Sequence, residues 1–187
     1  MSIKHAILGF LSWRSLTGYD LKKLFADSEF FYWSGNSNQI YRTLVQLHKE
    51  GLVTREVEHQ ESYPDRKVYT ITAEGWVALR AWAGSAPELP GLRHAFLVQL
   101  AWADPLCPEE LDALLKTYED QVRAQLLICR EQERRGEIDP ARTEREAYLW
   151  RAIAENSIGF YEHEQAWARG LRDGLAAFEN ENREKGQ

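Results

Sequence analysis

The hydrophobic period of the chain changes twice within its first 84 residues, and this change restricts the fold more than any other feature. From Ile3 to Gly51 apolar residues recur every three or four positions, which is typical of amphipathic helices. In Leu52–His59 and Lys67–Thr72 apolar and polar residues alternate instead, as in two strands joined by a polar turn. A hydroxyl and an acid in Thr72–Gly75 then start another helix.

Short capping signals predict where the first helices begin and end. Thr17–Asp20 has the shape of a capping box, with Asp in place of Glu or Gln, and starts the second helix after a first helix over Ile3–Ser12. Asn36 or Ser37 caps the third helix, and Gly51 ends it. Helices followed by a hairpin and a further helix are the order of a winged helix-turn-helix, so we expect a mainly α fold with this domain first.

A stretch rich in Gly and Pro separates this region from the rest of the chain. Two glycines and two prolines in residues 84–91 stop a helix, and every later segment has helical period. We therefore predict a winged helix-turn-helix DNA-binding domain over residues 1–84, a linker over 85–91 and an all-helical dimerisation domain over 92–187.

The last predicted helix, from about Thr143 to about Asn182, carries two apolar rows. The first row consists of Trp150, Ala154, Ser157, Ile158, Tyr161, Ala168, Leu171 and Leu175. The second consists of Ile153, Phe160, Trp167 and Phe178. Because a monomeric surface helix needs only one apolar face, the second row predicts packing against another subunit.

Charge and cysteine content narrow the classes of function. Residues 1–91 contain ten Lys and Arg and ten Asp and Glu, so their net charge is zero. Residues 92–187 contain 13 Lys and Arg and 19 Asp and Glu, so the whole net charge of −6 lies there. Only the first half could approach a polyanion without overall repulsion. Cys107 and Cys129 form neither a disulfide framework nor a zinc site, and no signal peptide or membrane-spanning run is visible, so we expect a cytoplasmic protein.

Catalytic and metal-binding motifs are weak in this sequence. The run from His163 and Glu164 to Trp167 begins like the zinc motif His-Glu-x-x-His but has Trp at the second ligand position. The five histidines are scattered, and no glycine-rich phosphate loop is present. We therefore expect no enzyme activity, no metal and no cofactor.

The third predicted helix has two faces of different chemistry. Ile40, Leu44 and Leu47 recur at i, i+4 and i+7 and face inward. The outward face is rich in hydrogen-bonding groups and nearly free of acids: Ser37, Asn38, Gln39, Arg42, Thr43 and Gln46. Asn and Gln pair bidentately with adenine and Arg with guanine, so the face suits a recognition helix; the alternative is an ordinary solvated helix.

Several segments resemble the PadR family of bacterial transcription regulators. The segment Phe31–Val53 resembles the recognition-helix signature of that family, and Tyr19 and the run Lys67–Gly75 also match. The C-terminal half, which opens on Arg93–Phe96, resembles the helical dimerisation domain of the longer, virulence-activator-like members. In one departure Arg42 stands where many members carry Pro, so the base preference of this chain does not follow from the family.

The resemblance implies a cytoplasmic homodimer that binds pseudo-palindromic operator DNA and represses a nearby gene. The residues that it implies at the DNA are Ser37, Asn38, Gln39, Tyr41 and Arg42 of the third helix, Tyr63, Arg66 and Lys67 of the wing, and Lys4, Tyr19, Lys22 and Lys49 around them. Tyr41 either contacts a phosphate or is half-buried against the second helix. A winged-helix protein–protein adaptor without specific DNA binding is the alternative function.

Several PadR relatives respond to phenolic acids or other small aromatic compounds, which implies a small aromatic effector here. The candidate effector residues are Phe31, Trp33, Trp102, Tyr118, Trp150, Phe160, Tyr161, His163 and Trp167. Aromatic residues at helical spacing also belong to cores and subunit interfaces, and a histidine between two acids is also typical of a solvated surface.

Overall fold

A computed structural model of the 187-residue chain describes residues 3–27, 37–60, 63–89, 94–136 and 142–185. The chain divides into two compact units, Met1–Leu89 and Pro90–Gln187. The predicted fold class is confirmed: most of the described residues are helical, and a small sheet lies in the first unit. None of the described helices is long and apolar enough to cross a membrane.

The first unit is a winged helix. Its elements are α1 (Ile3–Leu11), β1 (Leu16–Thr17), α2 (Gly18–Asp27), α3 (Ser37–Lys49), β2 (Val53–Gln60), β3 (Tyr63–Ile71) and α4 (Ala73–Ala83). The sheet order is β1-β3-β2, and both pairings are antiparallel. The β2–β3 hairpin, which we call the wing, has Arg55 opposite Tyr69 and Val57 opposite Lys67.

The predicted two-stranded hairpin is confirmed, and a third strand that the sequence analysis missed, β1, joins it. β1 contains only Leu16 and Thr17, which pair with Tyr69 and Val68 of β3. Two residues are too few to show an alternating pattern, so the sequence carries no strand signal there. The pairing ties the start of α2 to the wing.

The core of the first unit lies where α1, α2 and α3 meet. Ile7 and Leu8 of α1, Leu21 of α2, and Ile40 and Leu44 of α3 are completely buried. Burial of each such side chain contributes about 1.5–3 kcal/mol, so this core fixes the angle at which α3 sits. The predicted inward face of α3 is confirmed.

Two of the three predicted N-terminal caps are present, at Thr17 and Thr72; the cap predicted at Asn36 or Ser37 lies outside the described side chains. The Thr17 hydroxyl accepts a hydrogen bond from the Asp20 amide at 3.1 Å, and the Asp20 carboxylate accepts from the Thr17 amide at 2.9 Å. The Thr72 hydroxyl accepts from the Gly75 amide at 3.0 Å at the start of α4. Gly51 follows α3 with a φ of 73°, a left-handed conformation that favours glycine.

The described residues of the second unit form three helices, α5 (Ala95–Ala101), α6 (Pro108–Arg135) and α7 (Glu144–Lys185). Ion pairs join Asp112 near the start of α6 to Arg172 and Arg130 near its end to Glu162, so α6 and α7 are antiparallel. Pro108 occupies the first turn of α6, as predicted, and the left-handed Gly136 ends the helix.

The two apolar rows of α7 have different surroundings within the chain. Ala154 and Ala168 of the first row are buried. In the second row Ile153, Phe160 and Phe178 remain 39%, 42% and 61% exposed, whereas Trp167 is half-buried and packs on Phe96 and Tyr118 within the chain. The prediction that this row packs on another subunit therefore does not extend to Trp167. The other three side chains leave a large apolar surface open on α7.

Candidate nucleic-acid interface

The outward face of α3 presents polar side chains from a rigid base. Asn38, Gln39 and Arg42 are exposed, while Ile40 between them is completely buried. Ser37 begins α3, but its side chain lies outside the described residues. A helix anchored in this way can place three hydrogen-bonding groups against base edges without losing its packing.

Hydrogen bonds already occupy part of the remaining polar surface of α3. The Thr43 hydroxyl donates to the Gln39 carbonyl at 2.8 Å, and the Gln46 amide donates to Glu50 at 2.8 Å. The exposed Asn38, Gln39 and Arg42 in the first two turns stay the candidates for base contacts.

Tyr41 joins α3 to the start of α2. A Cβ atom added to Gly18 would lie only 2.3 Å from Cε1 of Tyr41, so the absence of a side chain at Gly18 lets the ring approach. Tyr41 is nevertheless 46% exposed. The half-buried arrangement is thus present, and the hydroxyl contact with phosphate stays a prediction.

The wing presents its basic residues beside this junction. Lys67 is exposed opposite Val57, and Arg66 is about half exposed. Nη2 of Arg66 donates to Oδ2 of Asp20 at 3.1 Å. Tyr63 begins β3, but its side chain lies outside the described residues.

The other predicted phosphate contacts are spread over the first unit. Tyr19 is 70% exposed at the start of α2, and Lys22 and Lys49 are exposed as well. Lys4 instead forms an ion pair of 2.5 Å with Glu50, just beyond the end of α3. Because α3 rises about 1.5 Å per residue, this pair is about 18 Å along the helix from Asn38. The structure therefore does not bring Lys4 together with the first turns of α3.

Comparison with known proteins decides the family. Residues 7–81 match the transcriptional regulator PadR-like family, and residues 92–176 match the virulence activator alpha C-terminal family. The negative transcriptional regulator PadR of Bacillus subtilis is 30% identical over 125 residues, which cover 66% of this chain and 69% of that protein. This chain belongs to the PadR-like family of transcriptional regulators.

Solved structures of PadR-like proteins have the same fold. A crystal structure of Bacillus subtilis PadR in complex with operator DNA matches with a TM-score of 0.80 and 22% identity, over 92% of this chain and 98% of that one. A second, with p-coumaric acid, gives 0.73 and 21%, over 93% and 95%. The Vibrio cholerae virulence activator AphA gives 0.70 and 28%, over 95% and 99%.

Aromatic and polar side chains of the helical unit of this PadR-like chain form a cluster around Tyr118, which we call the Tyr118 cluster. The Tyr118 hydroxyl donates to Oε2 of Glu164 at 2.6 Å, and Nε2 of His94 lies 3.0 Å from the same oxygen. The Phe96 ring stacks on the Tyr118 ring with centroids 3.7 Å apart, and Trp167 meets both rings edge-on.

A cavity of about 570 Å³ opens beside the Tyr118 cluster. Its lining residues are His94, Ala95, Phe96, Gln99, Leu114, Thr117, Tyr118 and Gln121. Apolar rings with a few hydrogen-bonding groups are typical of a site for a small organic molecule. Among the described residues no group of three or more His, Cys, Asp or Glu is arranged to hold a metal ion.

The structure brings together only some of the predicted effector residues of this PadR-like chain. Tyr118 and Trp167 belong to the Tyr118 cluster, and the rings of Phe160 and Tyr161 lie 5.3 Å apart elsewhere on α7. The others are dispersed or outside the description: Trp102 is 80% exposed, His163 is exposed, Trp150 is half-buried, and Phe31 and Trp33 lie outside the described residues.

Sequence reasoning missed the histidine and the acid of the cluster. His94 and Glu164 hydrogen-bond across 70 positions, and Glu164 comes directly after the predicted His163. Helical period offered a partial signal, since Glu164 and Trp167 are three residues apart and share a face of α7.

Proposed function

We propose that this protein is a DNA-binding transcriptional repressor that binds its operator as a homodimer, with α3 in the major groove. The observation that carries this proposal is the division of α3 into a completely buried face and an exposed polar face. The exposed Asn38, Gln39 and Arg42 supply the groups that read adenine and guanine. Operator DNA in the crystal structure of the Bacillus subtilis relative supports the assignment.

The wing and its surroundings hold the protein on the DNA backbone in this proposal. Lys67 and Tyr63 of the wing contact phosphates, and Arg66 does so only in part because Asp20 also holds it. Smaller contributions come from Tyr19, Lys22, Lys49 and Lys4. Such contacts set position and orientation but do not select sequence, which is the task of α3.

Dimerisation supplies the second copy of α3. The exposed residues of the second apolar row of α7, Ile153, Phe160 and Phe178, are proposed to pack on another copy of the chain. Residues 92–187 then serve as the dimerisation domain and 1–84 as the DNA-binding domain, with 85–91 as the linker. A two-fold axis between the subunits matches a pseudo-palindromic operator.

A small aromatic effector is proposed to release the repressor from DNA. The cavity beside the Tyr118 cluster has the volume and the mixture of rings and polar groups that such a molecule needs. An effector that binds one dimer arrangement better than another shifts the population between them. p-Coumaric acid in a structure of the Bacillus subtilis relative indicates the chemical class.

The DNA-binding proposal is tested by measuring affinity for the DNA upstream of the protein's own reading frame and for a random duplex. We expect Arg42→Ala to weaken binding to the upstream DNA by about 1–3 kcal/mol and to relax its sequence preference. Arg145→Ala, which removes the same charge at an exposed position of α7, is the matched control and should bind like the wild type. Equal affinity of the wild type for both duplexes would favour the protein–protein adaptor instead.

The effector proposal is tested by tryptophan fluorescence. Hydroxycinnamic acids, vanillin-like aldehydes and cationic aromatic compounds are titrated separately into the protein. We expect one class to change the emission, because Trp167 lies 6.4 Å from Tyr118, and to weaken DNA binding. Tyr118→Phe should reduce the response, whereas Tyr148→Phe, at an exposed position, should not. A flat response to all three classes would remove the effector site and leave the DNA-binding proposal intact.

A further inference from the structure

We propose that Asp20 is a positioning residue for DNA selectivity, because it holds Arg66 of the wing and limits the non-specific affinity of the protein for DNA. This inference rests on the proposed DNA-binding function. Oδ2 of Asp20 accepts hydrogen bonds from Nη2 of Arg66 at 3.1 Å, from the Thr17 hydroxyl at 2.7 Å and from the Thr17 amide at 2.9 Å. One carboxylate oxygen thus joins the start of α2 to the wing.

Thr17 holds the Asp20 carboxylate in place independently of Arg66. Asp20 lies in the first turn of α2, and Thr17 belongs to β1, which pairs with β3. Burial raises the pKa of Asp20, but the hydrogen bonds from Thr17 and Arg66 outweigh burial and hold that pKa below its usual value. The carboxylate is therefore charged at neutral pH. An anion held in this way attracts a guanidinium at less entropic cost than two mobile surface side chains would incur.

The ion pair with Asp20 neutralises the positive charge of Arg66 on the wing. Basic side chains that are free to meet phosphates supply almost all of the affinity for random DNA, and each contact adds about 0.9 to the salt slope on duplex DNA. While Arg66 remains with Asp20, it contributes less than a full phosphate contact. The affinity of the protein for random duplexes is therefore lower, because one contact that does not depend on sequence is weakened.

The same pair favours the operator. Arg66 joins the wing to α2, and Tyr41 of α3 lies against Gly18 at the start of α2. The wing is thus held in one position relative to α3 in the free protein. Binding in the register that α3 selects then costs less conformational entropy, because the wing is already ordered. A free Arg66 could meet phosphates in any register, which strengthens non-specific complexes more than the specific one.

The test measures affinities for the upstream DNA and for a random duplex from 50 to 200 mM salt. We expect Asp20→Asn to steepen the random-duplex salt slope by about 0.9, which is about a 3.5-fold larger loss of affinity over this range. Its affinity for random duplex at 50 mM salt should rise, and the ratio of upstream to random affinity should fall. The double variant Asp20→Asn/Arg66→Gln should restore the wild-type slope and the wild-type affinity for random duplex, which loss of the α2 cap alone would not explain.

Two further variants keep the test decisive. Glu56→Gln removes the same charge from an exposed position of the wing and should leave the ratio unchanged. Arg66→Gln alone should leave the random-duplex slope close to the wild-type value, and this result does not depend on how well Asp20→Asn folds. An unchanged ratio in Asp20→Asn, or a slope that falls by a full 0.9 in Arg66→Gln, would overturn the inference. A wild-type ratio near one would overturn both the inference and the proposed function, whereas failure of the inference alone leaves that ratio high.

Discussion

At the scale of single residues, His5 shows how a buried polar group makes stability depend on pH. Its ring stacks on Trp82, with centroids 4.6 Å apart and the planes 3° from parallel. Its Nδ1 atom is buried, and among the described residues it has no hydrogen-bond partner. Burial, together with the neighbouring Lys4, lowers the pKa of His5 below 6.5. The neutral ring is therefore the form that the fold favours.

The sign of the effect follows from the lowered pKa of His5. Stability is fully present above the unfolded pKa of about 6.5 and is lost as the pH falls through the folded value. We expect the free energy of unfolding to fall from pH 7.5 to pH 5.5, and His5→Phe to reduce that fall. Urea denaturation at pH 7.5, 6.5 and 5.5 measures it. His163→Phe, at an exposed position, is the control. Equal pH dependence in His5→Phe and the wild type would contradict this account.

Contacts between residues could be predicted from the sequence only where they are local. The capping box of Thr17 and Asp20 spans three positions and follows from residue type and spacing alone. The hydrogen bond that Arg66 donates to Asp20 spans 46 positions and depends on where β3 passes α2. The bond between His94 and Glu164 depends in the same way on the packing of α7. No spacing rule connects residues so far apart.

At the scale of elements, the junction between the wing and α4 depends on a close backbone approach. The Leu52 carbonyl accepts from the Thr72 amide at 3.1 Å, directly before α4 begins. A Cβ atom added to Gly75 would lie 2.2 Å from the Leu52 carbonyl oxygen and 2.7 Å from Cγ1 of Ile71. Since the nearer atom belongs to the backbone, the element ends themselves would have to move.

We expect Gly75→Ala to destabilise the protein by about 1–3 kcal/mol, because the added methyl group overpacks the junction. Gly9→Ala in α1 is the control: nothing lies within 4 Å of its added Cβ, so the gain in helix propensity should stabilise by about 0.5–1 kcal/mol. Midpoints of urea denaturation compare the two variants. A Gly75→Ala midpoint at or above that of the wild type would show that the junction can relax.

Elements with a long periodic signal were predicted well, and short ones were not. The predicted helix from about Thr143 to Asn182 agrees with α7 (Glu144–Lys185), because about eleven turns of the same period leave little ambiguity. The predicted strand Lys67–Thr72 begins four residues too late, since β3 starts at Tyr63 within a segment that resembles a polar turn. Pairing with β2 extends β3 where its own sequence does not.

At the scale of the whole molecule, the exposed apolar row of α7 is the strongest indication of assembly. Phe160 is near the middle of this row and is 42% exposed. We expect Phe160→Asp to convert a dimer into a monomer, because a charge buried at the proposed interface would have no partner. Light scattering gives the mass, and circular dichroism checks that the helices remain.

Ala166→Asp, which lies on the face of α7 away from Phe160, is the matched control for Phe160→Asp. It adds the same charge at an exposed position of α7 and should remain dimeric. A Phe160→Asp protein that stays dimeric would place the interface elsewhere. A wild type that is monomeric at micromolar concentration would contradict the dimer itself.

Methylation protection reports whether two copies of α3 lie in the major groove of operator DNA, as we propose. Dimethyl sulfate modifies guanine N7, which faces the major groove. On the DNA upstream of the protein's own reading frame, we expect two protected blocks whose centres are about 10 base pairs apart, or a multiple of that spacing. If guanine N7 stays reactive throughout while the dimer is bound, α3 does not read the groove.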